Sequence, residues 1–144
     1  MKSSRDKKDR IRILHEIRAS GRSNRLKIKK SIFICSIGKV DSVERAKTFI
    51  SRVREDFPKA THHAFAYRVG CPVEWEDCSD DGEPRGTAGP PIMNILQKQN
   101  ITNTCVVVSR FYGGIKLGTG GLVKAYQKSA VDLIKLIGIV PITN

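Results

Sequence analysis

The apolar positions change period several times along the chain, and each change marks an element. Ser31 to Val40 (SIFICSIGKV) is apolar and β-branched, which predicts a strand. Asp41 or Ser42 then caps a stretch with apolar residues at Val43, Ala46, Phe49, Ile50 and Val53, the spacing of one helix face, and Pro58 closes it. From His62 to Val69 the side chains alternate. Ala64, Ala66 and Arg68 fall on one side and His63, Phe65, Tyr67 and Val69 on the other, the pattern of a strand against a one-sided core. Trp75 to Asp80 is placed to pair back to it.

Pro90 and Pro91 follow Gly89, and proline is well tolerated at a helix start, where its missing N–H costs nothing; Ile92, Ile95 and Leu96 give that helix its buried side. Thr104 to Ser109 is a near-continuous apolar run, as in an inner strand, and it delivers Arg110 to the strand's end. Gly113 to Gly118 makes a turn into a long helix that starts near Thr119 or Gly120 and carries Leu122, Val123, Ala125, Tyr126, Ala130, Val131, Leu133, Ile134 and Leu136. Ile137 to Ile142 predicts a last strand. The class is α+β, with helices packed on a mixed or antiparallel sheet.

Length allows one core and no second. Charge changes the picture at the amino terminus. The net charge is +12, and residues 1–30 carry 12 Lys and Arg against 3 Asp and Glu, while 31–144 carry 14 against 11. Residues 1–28 therefore read as a basic extension, flexible or partly helical around Ile11, Ile13, Leu14 and Ile17, and 29–144 as the folded domain. Such a tail is either a solvated extension or a contact for nucleic acid or the ribosome. No stretch approaches the roughly 20 apolar residues of a spanning helix and no secretory leader pattern opens the chain, so a soluble, cytoplasmic protein without a membrane partner is expected. Cys35 and Cys105 sit in apolar runs, and Cys71 and Cys78 could face each other across a hairpin; their spacing is not that of a zinc site, so neither a metal nor a cofactor is implied.

The candidate chemistry lies in two glycine-rich segments, Ser79 to Ile92 and Val106 to Tyr126, which hold eight of the twelve glycines. Asp80, Asp81 and Glu83 form a carboxylate cluster that can bind a hard cation, act as a base or hold the guanidinium of Arg110; the plainer reading makes Asp80 and Asp81 turn and cap residues. Gly113, Gly114, Lys116, Gly118, Gly120 and Gly121 lie between a strand and a helix, where exposed N–H groups favour an anion, with Lys116 and Arg110 adding charge. Neither nucleotide-loop register is present, so the alternatives are close packing against the acidic turn and a phosphate site for nucleic acid. His62 or His63 is a candidate acid–base partner of the acidic turn. Phe111, Tyr112 and Tyr126, near Lys116 and Lys124, are candidates for stacking on bases or for ordinary packing.

These segments closely resemble the Impact family in its YigZ-type conserved domain. The acidic stretch Ser79-Asp80-Asp81-Gly82-Glu83-Pro84 followed by Gly86-Thr87-Ala88-Gly89, the run Arg110-Phe111-Tyr112-Gly113-Gly114-Ile115-Lys116-Leu117-Gly118, and Ala60-Thr61-His62 to Tyr67-Arg68 carry the resemblance, over about residues 29 to 140. Where the family more often has a polar residue and a cysteine after its histidine, this chain reads His63-Ala64-Phe65. The resemblance implies a fold like the second domain of ribosomal protein S5, a link to translational control, and Thr87 as a further binding residue. The length leaves no room for the RWD domain of the eukaryotic members or the ferredoxin-like domain of the bacterial ones, so the expected unit is the core plus a basic tail. The expected function is non-enzymatic translation regulation under stress through RNA, the ribosome or a translation-factor partner. One alternative is a metal-assisted hydrolase or phosphate-ligand enzyme built on the acidic turn. Another is a protein-interaction module of the starvation response.

Overall fold

The computed structural model describes residues 13–143. Eleven elements follow in order: β1 (His15–Ile17), β2 (Gly21–Arg22), β3 (Leu26–Ile28), β4 (Ser31–Lys39), α1 (Val43–Asp56), β5 (His62–Val69), β6 (Trp75–Ser79), α2 (Gly89–Lys98), β7 (Thr104–Phe111), α3 (Gly118–Ile137) and β8 (Ile139–Pro141). Six strands make one sheet in the order β2-β4-β7-β5-β6, with β3 also on β4, while β1 and β8 form a separate pair. Of the two sheet types left open by the sequence, every strand pairing here is antiparallel.

Strand β7 is central because it is apolar on both faces. Val106 and Val108 pack with Phe33, Ala64 and Ala66 beneath α2 and α3, around Ile92, Leu96, Tyr126 and Leu133. Cys105 and Val107 point the other way, to α1, and pack with Ala46, Ile50, Val53, Tyr67 and Val69. The sequence placed β5 against a one-sided core; in the fold helices cover both of its faces, which explains why alanine and aromatic positions alternate without a polar side. Helix α1 begins as expected, with the Ser42 hydroxyl accepting the Arg45 N–H at 3.1 Å.

The basic amino-terminal segment needs correction. Residues 1–12 lie outside the described residues, but 15–28 form strands and no helix. Ile17 is fully buried, Leu26 and Ile28 pack on the same core, and β1 pairs with β8 while β2 and β3 pair with β4. Leu26 and Ile28 turn inward on either side of Lys27, and Ile17 joins them in the core, so the folded unit starts well before residue 29. Cys71 lies in the β5–β6 turn and Cys78 opposes Ala66, so the two do not face each other, and all four cysteines are free thiols. No helix among the described residues is long and apolar enough to cross a membrane.

Candidate functional site

Register places three side chains in a row across the sheet: Phe33 on β4 opposes Arg110 on β7, which opposes His62 on β5. Glu83, from the turn after β6, comes down onto this row. Arg110 Nη1 donates to both Glu83 carboxylate oxygens, at 3.0 and 2.8 Å, and Arg110 Nε and Nη2 donate to the Ser31 hydroxyl at 3.3 and 3.2 Å. The Tyr126 hydroxyl, from α3, donates to the same carboxylate. Burial and this hydrogen bond hold the phenol far above its ordinary range, so it stays a donor. Arg110 is 4% exposed and Glu83 7%, which makes the pair part of the interior. A buried carboxylate with this many donors is a keystone joining sheet, turn and helix.

His62 completes the cluster. Its Nδ1 lies 2.8 Å from the carbonyl oxygen of Asp81, an acceptor only, so Nδ1 carries a proton, and Nε2 lies 3.3 Å from Glu83. The other two carboxylates are used locally. Asp80 accepts the N–H groups of Gly86 at 2.8 Å and of Ala88 and Gly89 at 3.0 Å, thereby holding the start of α2. Asp81 accepts the His63 N–H at 2.6 Å and the Arg54 guanidinium at 3.0 Å. Burial by itself would raise the Asp81 carboxyl; the hydrogen bonds from Arg54 and His63, with the charge of Arg54, outweigh it and hold the group below its usual 3.8.

Above this cluster lies a cleft of about 480 Å³ between the acidic turn and the glycine loop, with His62, Glu83 and Arg110 in its floor and Tyr112, Lys116 and Thr119 among its walls. Two glycines shape the loop. A Cβ on Gly113 would stand 2.1 Å from the Lys30 carbonyl oxygen, so only glycine lets the loop lie against the β3–β4 turn. Gly118 has φ +76° and starts α3. No side chain caps that helix, so its first N–H groups, from the Gly118–Gly121 turn, are left for solvent or a ligand. Gly120 has neither a neighbour within 4 Å of a Cβ nor a positive φ, so the fold itself does not require glycine there.

The cleft thus unites His62, Glu83, Arg110, Tyr112, Lys116 and Gly118 of the residues singled out in the sequence. Of the two roles the sequence offered Arg110 near the end of β7, a charge for an anion and a partner of the acidic turn, the structure shows the second, because Glu83 and Ser31 occupy its guanidinium. Tyr126 is buried and cannot stack on bases, and Phe111 packs edge-on to Phe57. Tyr112 is 47% exposed at the lip, over the Arg110 guanidinium. Thr87 is buried with its hydroxyl on the Pro84 carbonyl, inside the turn. Lys124 is exposed nearly two turns along α3 and does not line the cleft, and Gly114 is exposed in the loop. Sequence reasoning missed Ser31 and Arg54; neither belongs to a recognisable motif, and each is brought in by strand register or helix packing, whereas Thr119 lies inside the glycine loop already singled out.

The site is therefore a cleft in an α+β domain, floored by a neutralised ion pair and walled by an open helix N-terminus. The chain belongs to the family whose Impact N-terminal domain model matches residues 29–134. It is 50% identical over 101 residues to the IMPACT family member YigZ of Escherichia coli, covering 69% of this chain and 50% of that protein. A crystal structure of a hypothetical protein superposes with TM-score 0.84 at 39% identity, over 90% of this chain and 64% of that one. The two-domain translational regulator Yih1 shares the fold at TM-score 0.57 and 23% identity, over 84% of this chain and 48% of that one. The chain spans about half the length of the curated relatives it matches.

Proposed function

We propose that this domain is a non-enzymatic, translation-associated RNA-binding module whose cleft seats a backbone phosphate. The observation that carries the reading is the uncapped, glycine-rich start of α3, open on the cleft beside the exposed Lys116. A phosphate there would accept the free N–H groups and meet the helix dipole, while Tyr112 at the lip offers a ring to an adjacent base. The nearby carboxylates do not oppose it. Glu83 is neutralised by Arg110, Asp81 by Arg54, and Asp80 is turned onto backbone N–H groups. The description of Yih1 as a translational regulator supports the setting, and the net charge of +12 supports an RNA partner, free or in the ribosome.

The same carboxylate partners speak against the metal-assisted alternative, which would have to draw on those three side chains. Among the described residues no group of three or more His, Cys, Asp or Glu is arranged to hold a metal ion. The test is fluorescence anisotropy with a labelled single-stranded RNA across a salt series, comparing the full chain with Lys116→Ala. The reading expects affinity that falls steeply with salt and a slope shallower by about 1 in the variant, the signature of one lost phosphate contact. Absence of binding at low salt, or a Lys116→Ala curve that overlays the parent, would refute it.

A further inference from the structure

A second concavity lies at the far end of β5. The phosphate cleft opens where β5 begins, at His62, whereas a groove of about 700 Å³ opens where β5 ends, at Val69 and Gly70. Seven steps of strand separate the two, roughly 24 Å at the rise of an antiparallel strand. The groove runs between the start of α1 and the β5–β6 hairpin, with Val43 and Val69 at its base and Trp75 as a wall. Trp75 is 62% exposed, the largest side chain in the protein left so open. Asp41, Ser42, Glu44 and Glu74 complete the lining, and among the described residues no lysine or arginine contributes. Glu44 and Glu74 make no ion pair among the described residues; Asp41 meets only the exposed Arg45, at 3.3 Å.

Strand β6, which Trp75 opens, pairs with β5 alone and forms an edge of the sheet. An open edge strand offers unpaired N–H and C=O groups to an extended chain. Along it, Asp77 lies two residues after Trp75 and so on the same face, exposed, with one carboxylate oxygen accepting the Cys78 N–H at 2.8 Å, while Glu76 points to the opposite face and is occupied by Arg68 and Gln97. The edge therefore presents an aromatic ring and one carboxylate, Asp77, at the two-residue spacing of a strand.

We propose that this groove and edge dock an extended, basic segment of a partner protein, seating an arginine or lysine on the Trp75 ring. The ring face attracts a cation, the rim carboxylates Glu44 and Glu74 complement it, and the open β6 edge takes the backbone. The chain's overall positive charge does not forbid this, because charges beyond about 8 Å are screened at physiological ionic strength and the acidic side chains are within the groove itself. The site is separate from the phosphate cleft, and it would let one domain hold RNA and a basic protein at once.

Trp75 is the single tryptophan of the chain, so its emission reports on the groove directly. The full chain is titrated with the blocked pentapeptide Arg-Val-Arg-Val-Arg, with Glu-Val-Glu-Val-Glu as control, and the same is done for Glu44→Gln/Glu74→Gln. Both replaced side chains are exposed, so the variant folds, and a thermal melt verifies this. The proposal expects saturable emission change with the basic peptide only, affinity lower by about fivefold or more in the double variant, and RNA binding unchanged by it. It is overturned if the basic peptide gives no saturable change, or if parent and variant bind it equally. It is also overturned if the variant loses RNA binding, which would make the groove part of the RNA site. Concentration-dependent self-association of the free chain that the variant abolishes would overturn it too, since the occupant would then be a second copy.

Discussion

Replacing Glu83 by glutamine tests the keystone role at its most exposed point of logic. The substitution keeps shape and one acceptor oxygen but removes the charge that balances Arg110, which is 4% exposed and among the described residues has only Ser31 as another side-chain hydrogen-bond partner. The amide NH₂ would also stand where Arg110 Nη1 or Tyr126 now donates, setting donor against donor. Removing one partner of a buried ion pair costs about 3–5 kcal/mol, and the surviving acceptor recovers part of it, so a loss of about 3 kcal/mol is expected. In a domain of this size that corresponds to a fall in Tm of roughly 10 °C. Urea and thermal unfolding measure it. The companion variant Glu83→Gln/Arg110→Met removes both charges and should recover about half the loss or more, because no buried charge is left unpaired. A Glu83→Gln protein within about 0.5 kcal/mol of the parent would refute the keystone reading.

Other outcomes follow from the same geometry. Gly113→Ala should fail to fold or lose several degrees of Tm, since its Cβ would overlap the Lys30 carbonyl at 2.1 Å. Gly120→Ala should stabilise the protein by up to about 1 kcal/mol while weakening RNA binding, because open space surrounds its Cβ and the helix start it occupies is the proposed phosphate seat. Asp80→Ala should cost about 1–3 kcal/mol by freeing three backbone N–H groups at the start of α2, read as a lower urea midpoint. Stability should also fall with acidification in two windows. Burial, then the Arg54 charge, depresses His63 below its ordinary 6.5, so its contribution is complete above pH 6.5 and declines below it. The contribution of Asp81, whose folded value is also depressed, is complete above its ordinary 3.8 and is lost as pH falls below that; Asp81→Asn should flatten this second window in urea unfolding against pH.

Much of the architecture was legible because its signals are local. The β7 run and the Val43–Val53 helix face are set by residues within one element and start where the fold starts them, though β7 runs on to Phe111 and the helix to Asp56. Strands β1 to β3 escaped notice for a physical reason. Each is two or three residues long, too short to show a period among Arg18, Arg22, Arg25, Lys27, Lys29 and Lys30, and each is stabilised by pairing with β4 or β8. In the site, the sequence located the acidic turn and the glycine loop but could not say which carboxylate goes inside. That is decided by Arg110 and Tyr126, which lie 27 and 43 positions from Glu83 and meet it only through register and helix docking. The sequence left Arg110 either as a charge for an anion or as the partner of one of these carboxylates, and nothing local decides between the two; the fold makes it the partner of Glu83.

The central claim, that the start of α3 seats a phosphate, is tested most directly by following backbone amide resonances during titration with single-stranded RNA. The account predicts saturable shifts concentrated at Gly118, Thr119, Gly120 and Gly121, with the Trp75 indole unmoved. Shifts confined to other surfaces, or none at low salt, would contradict it.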